Sequence, residues 1–101
     1  MSGVRVRARI QLLSSREGGR STAVVGSYRP NHNFGNAENR EMMTGFLEFS
    51  QDFAPGQSRE IVFTLFGSPD QERFIVAGRQ WCIQEGAKLV GYGNILELLP
   101  P

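Results

Sequence analysis

Val4, Val6, Ala8, Ile10 and Leu12 alternate with Arg5, Arg7, Arg9 and Gln11. A period of two sends the apolar side chains to one face and the polar ones to the other, so the segment reads as a strand with one buried and one wet face. Glycine and proline turns punctuate the rest of the chain. Ser14 to Gly19 contains Gly18-Gly19, Pro55-Gly56 is a compact turn, and Gly67-Ser68-Pro69-Asp70 is another. No segment carries a convincing helical period. Short strands between such turns predict an all-β sandwich or barrel.

Further strands are expected at Thr22 to Tyr28, at Met43 to Phe49 with Gly45 inside, and at Arg59 to Phe66, which reads as buried on much of both faces. Pro30 limits the second strand, because proline cannot donate to a ladder. Asn31 to Asn39 is rich in Asn and Gly and reads as a loop. Arg73 to Ala77 and Gln80 to Gln84 read as two short strands around Gly78-Arg79, with Trp81 and Ile83 on one face. Lys88 to Leu99 reads as a long closing strand, in which Gly91 and Gly93 mark a bulge or a close approach. Those glycines favour a closed barrel, since closure needs local bending. The expected core is Val6, Ile10, Leu12, Phe49, Val62, Leu65, Phe74, Trp81, Ile83, Val90 and Ile95.

Residues 1–101 are expected to form a single domain, since a chain of this length buries one modest core. The formal net charge is +1, so nucleic-acid binding would have to come from a local patch. Ten of the eleven basic residues are arginine, which suits bidentate contact with phosphate or carboxylate. Cys82 is the one cysteine, so no internal disulfide forms. Apolar runs are too short to span a bilayer as a helix, and the stretch from Met1 to Arg5 has no apolar signal core. A cytoplasmic protein without a membrane role is the simplest expectation. The opening Met1 and closing Pro100-Pro101 permit either a complete gene product or a fragment.

Two glycine-bearing motifs stand out. Glu17-Gly18-Gly19-Arg20 is followed, after seven intervening residues, by Tyr28-Arg29-Pro30; Gln84-Glu85-Gly86 is followed by Leu89-Val90-Gly91-Tyr92-Gly93. With the opening strand Ile10-Gln11-Leu12-Leu13-Ser14, the Pro55-Gly56 turn and Val62-Phe63-Thr64-Leu65 after it, they fall in the order and spacing of the third, C-terminal domain of bacterial translation elongation factor Tu. The chain resembles that domain from about Val4 to Leu99, here without the GTPase domain. The resemblance implies a six-stranded antiparallel β-barrel.

In the full factor this barrel packs on the GTPase domain and touches the T stem of aminoacyl-tRNA. The closing turn on the tRNA face would here be Glu85 and Gly86. The residue after the Tyr-Arg-Pro motif, a glutamine in the family, is Asn31. Between Pro30 and Gly45 the chain is longer than the family pattern by about four residues, an insertion of the kind surface loops tolerate. Thr44 is the candidate by residue type for a tRNA-contacting threonine of that stretch. Ala87 replaces the second glycine after the closing glutamate, and Ser21 replaces a common histidine.

The candidate RNA-binding set is therefore Arg20, Arg29, Asn31, Glu85 and Gly86. Each arginine has a competing role, tying down a turn by bonding carbonyls or by pairing with Glu17. Arg5, Arg7 and Arg9 form either a basic stripe or a charged edge that deters sheet-to-sheet pairing. Glu85 could accept from a ribose hydroxyl or sit as an exposed turn residue. Trp81 reads as core, and Tyr28 and Tyr92 as packing residues with a wet hydroxyl. His32 and Cys82 lack partners at ligand or catalytic spacing.

No glycine-rich phosphate-binding loop is present, so no nucleotide, metal or other cofactor is expected. These features together point to a non-catalytic binding module, contacting tRNA or a similar structured RNA. The alternative is a protein-interaction module of the same type, for which an exposed apolar patch at Phe46, Phe53 or Phe66 would argue. A small hydrolase finds no supporting constellation.

Overall fold

β1 (Gly3–Leu12) turns Val6, Ala8, Ile10 and Leu12 inward, as its alternation dictates. The structure is a computed structural model and describes residues 3–101; Met1 and Ser2, the start of the stretch read as lacking a signal core, lie outside the described residues. The remaining strands are β2 (Val24–Tyr28), β3 (Asn31–Asn33), β4 (Met42–Thr44), β5 (Leu47–Phe53), β6 (Ser58–Phe66), β7 (Gln80–Glu85) and β8 (Lys88–Leu98). Six of them close a barrel in the order β1-β6-β4-β3-β7-β8, and β2 and β5 form a separate two-stranded ribbon. Every pairing is antiparallel. The six-stranded antiparallel barrel is therefore present.

Several details depart from the sequence reading. Asn31 to Asn39 is not wholly loop, because β3 occupies its start and bridges β4 and β7. The strand expected across Gly45 is two strands, β4 and β5, separated at Gly45-Phe46. Arg73 to Ala77 is no strand. A 3-10 turn at Gln71–Phe74 leads into irregular chain, with Ile75 buried.

On β6 only Phe63 and Leu65 are fully inside. Val62 points outward opposite Arg7 and is 45% exposed, so it leaves the expected core. Phe49 and Phe74 pack on the core from its margin rather than within it. Their places are taken by Phe34, Met43, Leu47, Phe53 and Phe63.

The β4–β6 seam is thin, with a single register pair between Thr44 and Phe66. Side chains reinforce it. Phe63 of β6 stacks on His32 of β3 at 5.5 Å between ring centres, and the Gln71 amide donates to the Met42 carbonyl at 3.2 Å. Gly93 marks a close approach, as expected. A Cβ there would lie 2.2 Å from the Trp81 ring, so the indole packs flat against bare backbone. Because β1 lies between β6 and β8, its arginines guard no sheet edge.

Candidate functional site

Ser14 to Gly19 folds as a capped 3-10 turn. The Ser14 side chain accepts from the Glu17 N–H at 3.2 Å, and the Glu17 carboxylate accepts from the Ser14 N–H at 3.0 Å. This is a reciprocal capping box. The Ser14 backbone N–H, helped by its hydroxyl, holds the Glu17 carboxyl below its ordinary value. Glu17 is thereby engaged locally and is not the partner of Arg20.

Arg20 reaches across the fold. Its Nη1 pairs with Oε2 of Glu85, its Nε donates to the Thr22 carbonyl at 3.2 Å, and its guanidinium lies 5.4 Å from the Tyr28 ring centre. The Tyr28 hydroxyl donates to the same Glu85 oxygen. The turn after β1, the end of β2 and the β7–β8 hairpin thus meet on one carboxylate. Burial pushes the Glu85 carboxyl up, but the Tyr28 hydroxyl, Arg20 and Lys88 together outweigh it, and its pKa is lowered. Burial and the Glu85 hydrogen bond raise that of Tyr28.

The hairpin tip is shaped by its two central residues. Gly86 takes φ +60°, whereas among the described residues no non-glycine residue has a positive φ. A glycine in the left-handed region at the first central position, with a residue outside it next, suits a type II′ turn. Ala87 can therefore stand at the second central position, which needs no glycine.

Asn31 is exposed on β3. It lies opposite Thr44 of β4 on one side and Gln84 of β7 on the other. Residues directly opposite in a ladder share a face, so Thr44, Asn31 and Gln84 form one row, adjacent to Glu85. Thr44, picked by residue type alone, stands beside Asn31. Gln84 opens the closing Gln-Glu-Gly motif but was not among the candidate contact residues read from the sequence. Its Oε1 is buried and accepts no hydrogen bond, although it neighbours the hairpin tip. Its strand alternation with Cys82 signals an outward position, but nothing in the sequence signals the orphaned acceptor.

Arg20, Glu85, Gly86 and Asn31 are therefore brought to one end of the barrel. Arg29 is exposed and stacks over the exposed Phe46 ring at 5.2 Å, without joining the Glu85 cluster. Of the other arginines, Arg7, Arg9, Arg59 and Arg79 are engaged in the fold. Arg7 pairs with Glu60 at 3.0 Å and Glu97 at 2.9 Å, and Arg9 lies 3.6 Å from Glu60. Arg59 bonds the Gln51 and Asp52 carbonyls, and Arg79 the Phe34 carbonyl.

His32 is buried as a core residue, and Trp81 beside it is core as read. A wider depression of about 580 Å³ lies on the β2–β5 ribbon, lined by Gly26, Ser27, Glu48, Phe49 and Ser50. It includes none of the candidate residues. Among the described residues no group of three or more His, Cys, Asp or Glu is placed to hold a metal ion. Nor is any helix among them long and apolar enough to cross a membrane. No protein-family model matches the chain.

Proposed function

We propose that the chain is a non-catalytic RNA-contacting module of the elongation factor Tu C-terminal type. The observation that carries this reading is the meeting of Arg20 and Tyr28 on the Glu85 carboxylate, from 65 and 57 residues away respectively. Three motifs that resemble the family's are joined where the resemblance puts its tRNA face. In this reading Arg20 is a positioning residue that holds Glu85 and the tip. The exposed Arg29, Asn31, Gly86 and Lys88, with Thr44 and Gln84, supply the contacts. Amides and carboxamides of this kind suit an A-form duplex, which is read through 2′-hydroxyls and phosphates across a shallow groove.

A fluorescence-anisotropy titration with a labelled RNA hairpin at low salt tests the proposal. Saturable binding is expected, stronger than to the matched DNA hairpin and weakening as salt is raised. No saturable binding at low salt overturns it.

One observation favours protein docking instead. Phe46 is 47% exposed beneath the Arg29 guanidinium, whereas Phe53 is buried and Phe66 half-buried. An aromatic ring with an arginine is a composition enriched at protein interfaces. Affinity capture with and without ribonuclease separates the two readings: partners that survive the nuclease belong to the protein reading.

A further inference from the structure

The outer face of β1, β8 and β7 carries a second polar row, separate from the Glu85 cluster. Arg9 of β1 lies opposite Asn94 of β8, which lies opposite Gln80 of β7. On the next rung Gln11 lies opposite Tyr92, which lies opposite Cys82. Arg9, Gln11, Gln80, Tyr92 and Asn94, with the backbone of Gly93, line a shallow depression of about 140 Å³. Gly93 adds no side chain to it, since a Cβ there would run into Trp81 on the inner side.

The chemistry of this row is specific. Gln11, Gln80 and Asn94 each offer a carbonyl acceptor and two N–H donors. Among the described residues, none of these carboxamides, nor the Tyr92 hydroxyl, is engaged in a hydrogen bond with the protein. No lining residue is acidic. The adjoining Glu60 is shared between Arg7 and Arg9, and Arg9 remains 54% exposed. A half-buried aromatic ring flanked by carboxamides and a cation fits a flat heterocycle joined to an anion. Every nucleobase can stack on such a ring, and its edge takes donors and acceptors that Gln and Asn supply. Gln80, Cys82 and Gln84 alternate along one face of β7, so the depression lies on the same face as the Gln84–Asn31 row.

We infer that this depression is a subsite for an unpaired nucleotide of the bound RNA, with Tyr92 as the stacking surface, Gln11, Gln80 and Asn94 on the base edge and Arg9 at the phosphate. The inference rests on the RNA reading of the hairpin face and names what that reading leaves open: a duplex end that continues as single strand.

The test compares three labelled RNAs by anisotropy: a blunt hairpin, the same hairpin with a single-stranded overhang, and the overhang strand alone. The overhang should tighten binding by about fivefold or more, the scale of one stacked base. Tyr92→Phe should keep that advantage. Tyr92→Ser should remove it, and so should the paired change Gln80→Ala with Asn94→Ala, which retains the ring. An overhang that adds nothing, or an advantage that survives Tyr92→Ser, overturns the subsite while the hairpin-face reading stands. Binding of the strand alone that depends on Tyr92, with a silent blunt hairpin, supports the subsite and removes the hairpin-face reading. Failure of all three RNAs to bind overturns both.

Discussion

The indole N–H of Trp81 donates to Nδ1 of His32 across 3.0 Å in the sealed interior of the barrel. That bond sets the tautomer. Nδ1 accepts, so the ring proton sits on Nε2 and is donated to the Gly45 carbonyl 2.9 Å away. One imidazole thus links β7, β3 and the chain between β4 and β5, next to the thin β4–β6 seam.

This arrangement predicts an acid-sensitive fold. Burial, only partly opposed by the Gly45 carbonyl, lowers the His32 pKa to about 4. The unfolded chain takes up a proton at about 6.5, the folded chain only near 4, so between these values the unfolded state binds more protons. Stability is constant above about pH 6.5 and falls toward pH 4, by about 3 kcal/mol from this group. Urea midpoints measured across that range should show the slope, and His32→Phe should flatten it. An equal slope in the variant would remove His32 as its source.

Gly93 and Trp81 are predicted to be coupled. Gly93→Ala forces a methyl into the indole ring and should destabilise the barrel by roughly 1–3 kcal/mol or more. Trp81→Phe leaves His32 Nδ1 without its donor, at about 1–3 kcal/mol before any loss of packing. In that background the smaller ring leaves room for the methyl, so Gly93→Ala should cost less. Denaturant titrations of the two single variants and the double measure the difference. Strict additivity would show that the indole is not what excludes the methyl.

Arg20 and Glu85 should be coupled in the same sense. Their side chains keep 23% and 33% exposure, so the pair is worth about 1 kcal/mol rather than the several expected of a sealed one. A cycle of Arg20→Ala and Glu85→Gln should return a coupling of that size. The lowered Glu85 pKa places its contribution above the ordinary carboxylate range of about 4.3, to be lost as pH falls through the folded value. Independent single effects would break the link between the motifs.

The barrel was legible in the sequence because β1 alternates without interruption and its turns carry the residues their backbones need. The Phe63–Val62 exchange was not. Arg59 to Phe66 has apolar residues on both faces, and only the pairing of Arg7 with Val62 sends the valine outward. Nor was the burial of His32 legible. A polar residue among asparagines reads as loop until Trp81, 49 residues away, supplies its hydrogen-bond partner. At the proposed site, Glu85, Gly86 and Asn31 are candidates that rest on motif resemblance. The partner of Arg20 was not, because Glu17 is nearer in sequence but is engaged by Ser14. Gln84 and Tyr92 become visible as candidates only once cross-strand register places their neighbours.

The central claim is that the hairpin end of the barrel contacts RNA. Backbone amide shifts recorded while an RNA hairpin is titrated into isotope-labelled protein test it residue by residue. The account predicts saturable shifts at Asn31, Gln84, Gly86, Ala87 and Lys88 that collapse at high salt, while Glu48 and Ser50 of the ribbon stay still. Silent spectra at low salt, or shifts confined to the ribbon, would contradict it.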